Sequence, residues 1–121
     1  MKILLVDDSS TMRRIQMNTL KSLGFDDVVQ AEDGQDALNK LKENPEVRLV
    51  LLDWNMPNMN GIDCLKAIKA NPATKAVPVM MVTSEAEKSK IIEAIQSGAS
   101  NYLVKPFEAD ALKEKISGII G

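Results

Sequence analysis

The sequence contains no histidine. That absence removes Ser-His-Asp triads, histidine-bearing zinc sites and phosphotransfer through a histidine of the chain's own. There is a single cysteine, Cys64, so an internal disulfide is excluded. Cys64 lies among Ile62, Leu65 and Ile68 in an apolar helical pattern and reads as packing rather than as a reactive thiol. Basic charge is not in excess either: the net charge is -2 and the isoelectric point about 5.2. A broad cationic face for nucleic acid is therefore not expected. No apolar run approaches the ~20 residues of a membrane span. The opening MKILLVDD meets two acids straight after Ile3–Val6, so it is no secretory signal. A cytoplasmic protein without membrane insertion is expected. With histidine missing, a metal would rest on carboxylates and carbonyls, a donor set that suits magnesium, with manganese as a substitute.

What the chain does have is regular alternation. Its 121 residues suffice for one domain with a real core, and a single domain over 1–121 is expected. Ile3–Val6 is a short continuous apolar run, as in a strand buried on both faces. Met12, Ile15, Thr19, Leu20 and Leu23 follow at helical spacing, and Gly24 supplies a stop. Asp27–Ala31 is a weaker strand, and Asp33-Gly34 leads into a helix carrying Ala37, Leu38 and Leu41 that Asn44-Pro45 ends. Arg48–Leu52 is a second clear strand, followed by the third helix up to Asn71-Pro72. Val77–Val82 is the next strand, with Pro78 near its start. Ser84 and Glu87 predict a capping box for a fourth helix with an apolar stripe of Ile91, Ile92 and Ile95, closed by Gly98. Ser100–Val104 is the last strand, and Leu112, Ile116 and Ile119 line the last helix. Five buried strands alternating with five helices predict a three-layer α/β domain with a parallel sheet.

In open sheets of this kind, sites lie beyond the carboxyl ends of the strands. The first strand ends in Asp7-Asp8, the third in Asp53, the fourth in Thr83-Ser84, and the fifth leads into Lys105-Pro106. One acid at a strand end commonly makes a turn. Three acids, a hydroxyl and a lysine at four strand ends make a chemical set. Crowded carboxylates resist ionisation, and a divalent cation resolves the repulsion. Asp8 and Asp53 are candidate direct ligands with the Asn55 carbonyl as a third, and Asp7 binds directly or through water. Lys105 brings a point charge suited to a phosphoryl oxygen or a carboxylate. Thr83 offers a hydroxyl that Ser84, as the helix cap, leaves free. A carboxylate can accept a phosphoryl group as an aspartyl-phosphate. No strong general base for its hydrolysis is evident, so the adduct would persist.

These residues resemble the response-regulator receiver family. The stretches that carry the resemblance are VDDSSTMRR (Val6–Arg14), AEDGQDALNKL (Ala31–Leu41), DWNMPNMNG (Asp53–Gly61), MVTSEAEK (Met81–Lys88) and NYLVKPF (Asn101–Phe107). They span nearly the whole chain, and the Asp-Trp-Asn-Met-Pro run is similar to the chemotaxis branch. The resemblance implies a doubly wound, flavodoxin-like (βα)5 fold with strand order 2-1-3-4-5. It implies Asp53 as phospho-acceptor, Thr83 and Lys105 as phosphoryl contacts, and Mg2+ on Asp8, Asp53 and the Asn55 carbonyl, with Asp7 acting largely through water. Tyr102 is implied as a switch aromatic that moves inward when Thr83 is drawn toward phosphate. An output face on the fourth helix, fifth strand and fifth helix is implied at Ala86, Lys88, Ile91, Ile95, Tyr102 and Lys115. Two positions depart from the familiar pattern, Ser84 and Glu87, and the second reverses a charge on that face.

The function so implied is that of a stand-alone, monomeric chemotaxis regulator rather than an enzyme. A histidine kinase donates the phosphoryl group, a dedicated phosphatase is a further candidate partner, and the phosphorylated form binds the flagellar motor switch. Ending at Gly121, the chain is expected to carry no DNA-binding effector domain and to signal by docking. Other readings remain open: a single-domain receiver serving a phosphorelay or acting as a phosphate sink, and a slow magnesium-dependent phosphohydrolase with an aspartyl nucleophile. The hydrolase reading is weakened by Asn55, since an amide two residues past the nucleophile is no general acid or base. A flavin carrier is disfavoured because Asp7-Asp8 would repel a cofactor phosphate. Trp54 is expected to be a partly exposed neighbour that limits access to Asp53.

Overall fold

Successive side chains of a strand point to opposite faces of its sheet, and here that alternation divides the core in two. The structure, a computed structural model, describes residues 1–120. Five strands alternate with five helices: β1 (Lys2–Val6), α1 (Ser10–Ser22), β2 (Val28–Ala31), α2 (Gly34–Glu43), β3 (Val47–Leu52), α3 (Gly61–Ala70), β4 (Val79–Thr83), α4 (Lys88–Gln96), β5 (Asn101–Val104) and α5 (Ala109–Ile120). All pairings are parallel, and the sheet order is β2-β1-β3-β4-β5, as the resemblance implied. Strand boundaries differ from the sequence expectation by one or two residues. Pro78, for instance, lies just outside β4.

Leu4, Val6, Val50, Leu52, Val79 and Met81 face one layer, with Ala37, Leu41, Cys64, Leu65, Ile68 and Ala94 of α2, α3 and α4. Ile3, Leu5, Leu49, Leu51, Met80 and Val82 face the other, with Leu20 of α1 and Leu112 and Ile116 of α5. Both faces of the sheet are thus covered, which is why its strands read as continuous apolar runs. No helix among the described residues is long and apolar enough to cross a membrane.

Three expectations about the helices need correction. In α1 the buried residues are Gln16 and Leu20, whereas Ile15 is 52% exposed. Burying Gln16 costs little because its amide reaches the Asp7 carboxylate. In α4 the core contact is Ala94, while Ile92 and Ile95 are exposed and Ile91 is half-buried. A small side chain lets this helix approach the sheet closely, and the larger isoleucines are left outside. The Ser84/Glu87 capping box does not form. The helix starts at Lys88, its N-cap Glu87 makes no side-chain cap bond, and Glu87 is extended. Segment 84–87 is instead drawn out by bonds at Glu85 described below. The caps of α1, α2 and α3 are regular, made by Ser9, Asp33 and Asn60.

Candidate functional site

The order of the sheet reverses between β1 and β3, and ligands of open α/β sheets bind at the carboxyl ends beside such a point, a rule for which this fold is itself a standard instance. There β1 delivers Asp7 and Asp8, and β3 delivers Asp53 alongside. The Asp53 N–H donates to the Val6 carbonyl at 3.0 Å, which fixes the two strand ends to each other. One carboxylate oxygen from each of Asp7, Asp8 and Asp53 lies within 4.8 Å of the others. Lys105, beyond β5, closes the group: its Nζ stands 3.0 Å from Asp7 Oδ2 and 3.5 Å from Asp53 Oδ2.

The three acids differ in surroundings. Asp7 is buried, and both its oxygens are engaged. Oδ1 accepts from the Ser9 N–H at 2.9 Å, and Oδ2 accepts from Gln16 Nε2 at 3.2 Å as well as from Lys105. Asp8 is exposed. Asp53 is nearly buried, and its Oδ1 accepts from the Trp54 N–H at 2.7 Å. Burial pushes the Asp53 carboxyl above its ordinary value. The Lys105 charge pulls it back down, Asp7 raises it again, and the Thr83 hydroxyl and Trp54 N–H lower it slightly.

Three carboxylates and one ammonium leave an excess of negative charge on hard oxygen donors held close together. That donor set fits a divalent cation such as Mg2+. The carboxylates present to hold it are those of Asp7, Asp8 and Asp53. Asp7, already accepting three hydrogen bonds, fits a contact through water.

Thr83 is fully buried at the end of β4. Its Oγ1 accepts from the Glu85 N–H at 3.2 Å, while its hydroxyl serves the Asp53 carboxylate on the other side. The same Glu85 accepts at its backbone carbonyl from the Tyr102 hydroxyl, 2.6 Å away, and at Oε1 from Asn55 Nδ2, also 2.6 Å away. Tyr102 is 7% exposed and so already lies inward here, with its hydroxyl pushed up to about 12, mainly by burial. Glu85 therefore joins the loops after β3 and β4 to β5. Sequence reading missed it, as it missed Gln16 and Arg13, whose Nη1 donates to the Asp7 carbonyl at 2.6 Å. Nothing in one sequence marks a polar helical residue as the partner of a strand-end acid.

Trp54 is buried rather than partly exposed, and Lys90 of α4 stands 4.8 Å above its ring. Buried beneath the Lys90 ammonium, the indole is not the partly exposed neighbour expected from the sequence. Cys64 is fully buried, with a thiol pushed up to about 12 by burial, in keeping with packing. Of the expected output face, Ala86, Lys88 and Ile95 are exposed and Ile91 is half-buried. Lys88, Ile91 and Ile95 share one side of α4 by their spacing. Both α4 and α5 pack on β5, which carries Tyr102. Lys115 is half-buried and donates to Asn101 Oδ1 at 3.3 Å.

Residues 3–117 match the model of the response regulator receiver domain. The chemotaxis protein CheY1 of Helicobacter pylori is 48% identical over 121 residues, covering 100% of this chain and 98% of that one. A Campylobacter jejuni CheY homolog is also 48% identical, over 100% of this chain and 93% of its own. Among solved structures, Vibrio cholerae CheY4 superposes with a TM-score of 0.89 at 34% identity, covering 98% and 97% of the two chains. The CheY chain of a CheX-CheY-BeF3-Mg complex from Borrelia burgdorferi gives 0.93 at 28% identity, covering 99% and 89%. The parallel sheet with its order β2-β1-β3-β4-β5 agrees with these matches, and the chain belongs to the response regulator receiver domain family.

Proposed function

We propose that this chain is a single-domain chemotaxis response regulator that takes a phosphoryl group on Asp53 from a histidine kinase. The observation that carries the reading is the Lys105 ammonium set between Asp7 and Asp53 beside an exposed Asp8. An Asp53 carboxylate oxygen attacks phosphorus as the bond from phosphorus to the donor imidazole nitrogen breaks. The electron pair stays on the imidazole nitrogen, which takes up a proton from solvent. Lys105 releases its hold on Asp53 and pairs with a phosphoryl oxygen, and the Thr83 hydroxyl turns from the carboxylate to donate to another. Mg2+ on Asp8, Asp53 and the Asn55 carbonyl supplies charge neutralisation for the same oxygens when bound.

Thr83 and Tyr102 both bond Glu85, so a pull on the Thr83 hydroxyl changes the loop that leads to α4. The phosphorylated population presents Ala86, Lys88, Ile91, Ile95 and Lys115, with Tyr102 held inward beside them, to a flagellar motor switch protein. The relatives at 48% identity, all named as chemotaxis proteins, support this partner. The working form is a monomer in the cytoplasm.

The test is phosphorylation of the purified chain with acetyl phosphate and Mg2+, followed by mapping of the adduct. Label on Asp53 that disappears in D53N is the expected result. Label that persists in D53N overturns the assignment. Binding to motor-switch protein with and without the phosphodonor then separates this role from a phosphate sink.

A further inference from the structure

The loop between β3 and α3 carries Asn55 and is tied down on both sides of it by residues outside the three-acid cluster. Asn58 on this loop has a positive φ of 66°, a left-handed conformation that a non-glycine residue adopts at some cost. Its Nδ2 donates to Asp33 Oδ2 at 2.7 Å. The other oxygen of Asp33 caps α2 by accepting from the Asp36 N–H at 2.7 Å, and Asp33 is only 7% exposed. Next to this pair, the Gly34 N–H donates to the Met59 carbonyl at 3.2 Å. A Cβ on Gly34 would lie 2.7 Å from both Met59 Cγ and the Met59 carbonyl oxygen, so loop and helix start are in direct contact. At the far side the Gly61 N–H donates to the Trp54 carbonyl at 2.7 Å, and a Cβ on Gly61 would strike the Asp53 carbonyl oxygen. Asn55 thus lies between a tie at Trp54 and a clasp at Asn58.

We propose that Asp33 and Asn58 are positioning residues for the cation: their bond holds the loop so that the Asn55 carbonyl faces Asp8 and Asp53. Neither side chain is among the three clustered acids, and the proposal rests on the reading of those acids as a Mg2+ site. The start of α2, fixed in the sheet through β2, acts as the anchor. Partners of this outer kind typically change metal affinity by about 10- to 100-fold.

The experiment is a Mg2+ titration of the full chain followed by the fluorescence of Trp54, its single tryptophan, with thermal unfolding measured on each variant. Asn58→Gly keeps the left-handed backbone and deletes the amide. Asp33→Ser keeps a helix cap and withdraws the oxygen that meets Asn58. Leu41→Ala, which opens a cavity under α2 away from the clasp, serves as a stability control. Each clasp variant is expected to raise the Mg2+ Kd about tenfold, the double variant no further than about threefold beyond either, and Leu41→Ala to lower Tm without moving Kd. Affinity in both clasp variants within about twofold of the parent overturns the proposal, as does an equal loss in Leu41→Ala. A parent chain that binds no Mg2+ overturns the cation site itself, and this proposal with it.

Discussion

The Lys105 ammonium meets the Asp7 carboxylate at 3.0 Å across 98 positions of sequence, although β3 and β4 lie between their strands in the sheet. Their side chains are 12% and 2% exposed, so the pair is shielded from solvent. Lys105 also stands near Asp53 and offsets part of the charge that the three acids concentrate. Lys105→Met should lower the unfolding free energy by about 3 kcal/mol without divalent cations, since it leaves buried carboxylates uncompensated. Added Mg2+ should narrow the gap. Denaturant melts of both proteins with EDTA and with Mg2+ check this, and a gap independent of Mg2+ would count against charge compensation.

Gln16 is a polar residue inside an apolar layer, and its amide supplies one of the three bonds to Asp7. Replacing it by leucine removes that donor and leaves an apolar group against a buried carboxylate. We expect Gln16→Leu to cost about 1–3 kcal/mol despite the added hydrophobicity. A more stable Gln16→Leu protein in equilibrium unfolding would show that Asp7 does not need the bond.

The Tyr102 hydroxyl holds the Glu85 carbonyl at 2.6 Å and so secures the loop before α4. Tyr102→Phe should lose about 1 kcal/mol and keep its ring in place. The local effect should exceed the global one. Amide hydrogen exchange should speed up over residues 85–90 while β1 and β3 remain protected. Uniform protection in the variant would mean that the hydroxyl does not hold the loop.

Acid should loosen the clasp beside α2. The Asp36 N–H, and after it the Asn58 amide, hold the Asp33 carboxyl below its ordinary value of 3.8. A folded-state pKa that is depressed favours folding above the unfolded value, and that contribution is lost as pH falls below 3.8 toward the folded-state pKa. Asp33→Asn should therefore flatten the acid limb of the stability curve. Parallel limbs for the two proteins would assign acid sensitivity to other carboxylates.

The sequence was most legible where a residue's surroundings follow from its own element. β1 and β3 are buried on both faces, so Ile3–Val6 and Leu49–Leu52 appear as unbroken apolar runs whatever packs on them. Gly24 and Gly98 mark the ends of α1 and α4 with positive φ, as glycine allows. α4 was misread because its apolar positions do not say which of them meets the sheet. Ala94 does, because this helix approaches closely, and Ile92 and Ile95 are left exposed. Ser84 and Glu87 have the spacing of a capping box, but Glu85 accepts from the Tyr102 hydroxyl and from Asn55 Nδ2, and Glu87 is extended. Tertiary bonds outweighed a local preference worth about 1 kcal/mol.

By itself the sequence determined the alternation of strands and helices and put Asp7, Asp8, Asp53, Thr83 and Lys105 at strand ends. Both follow from periodicity, which is a local property. Only the tertiary structure decided that Lys105 reaches Asp7, that Gln16 turns inward beside it, that Trp54 lies under Lys90, and that Asn58 fastens its loop to Asp33. Each of these joins residues on different elements, and a buried polar group takes as partner whatever the packing of layers brings within hydrogen-bond reach.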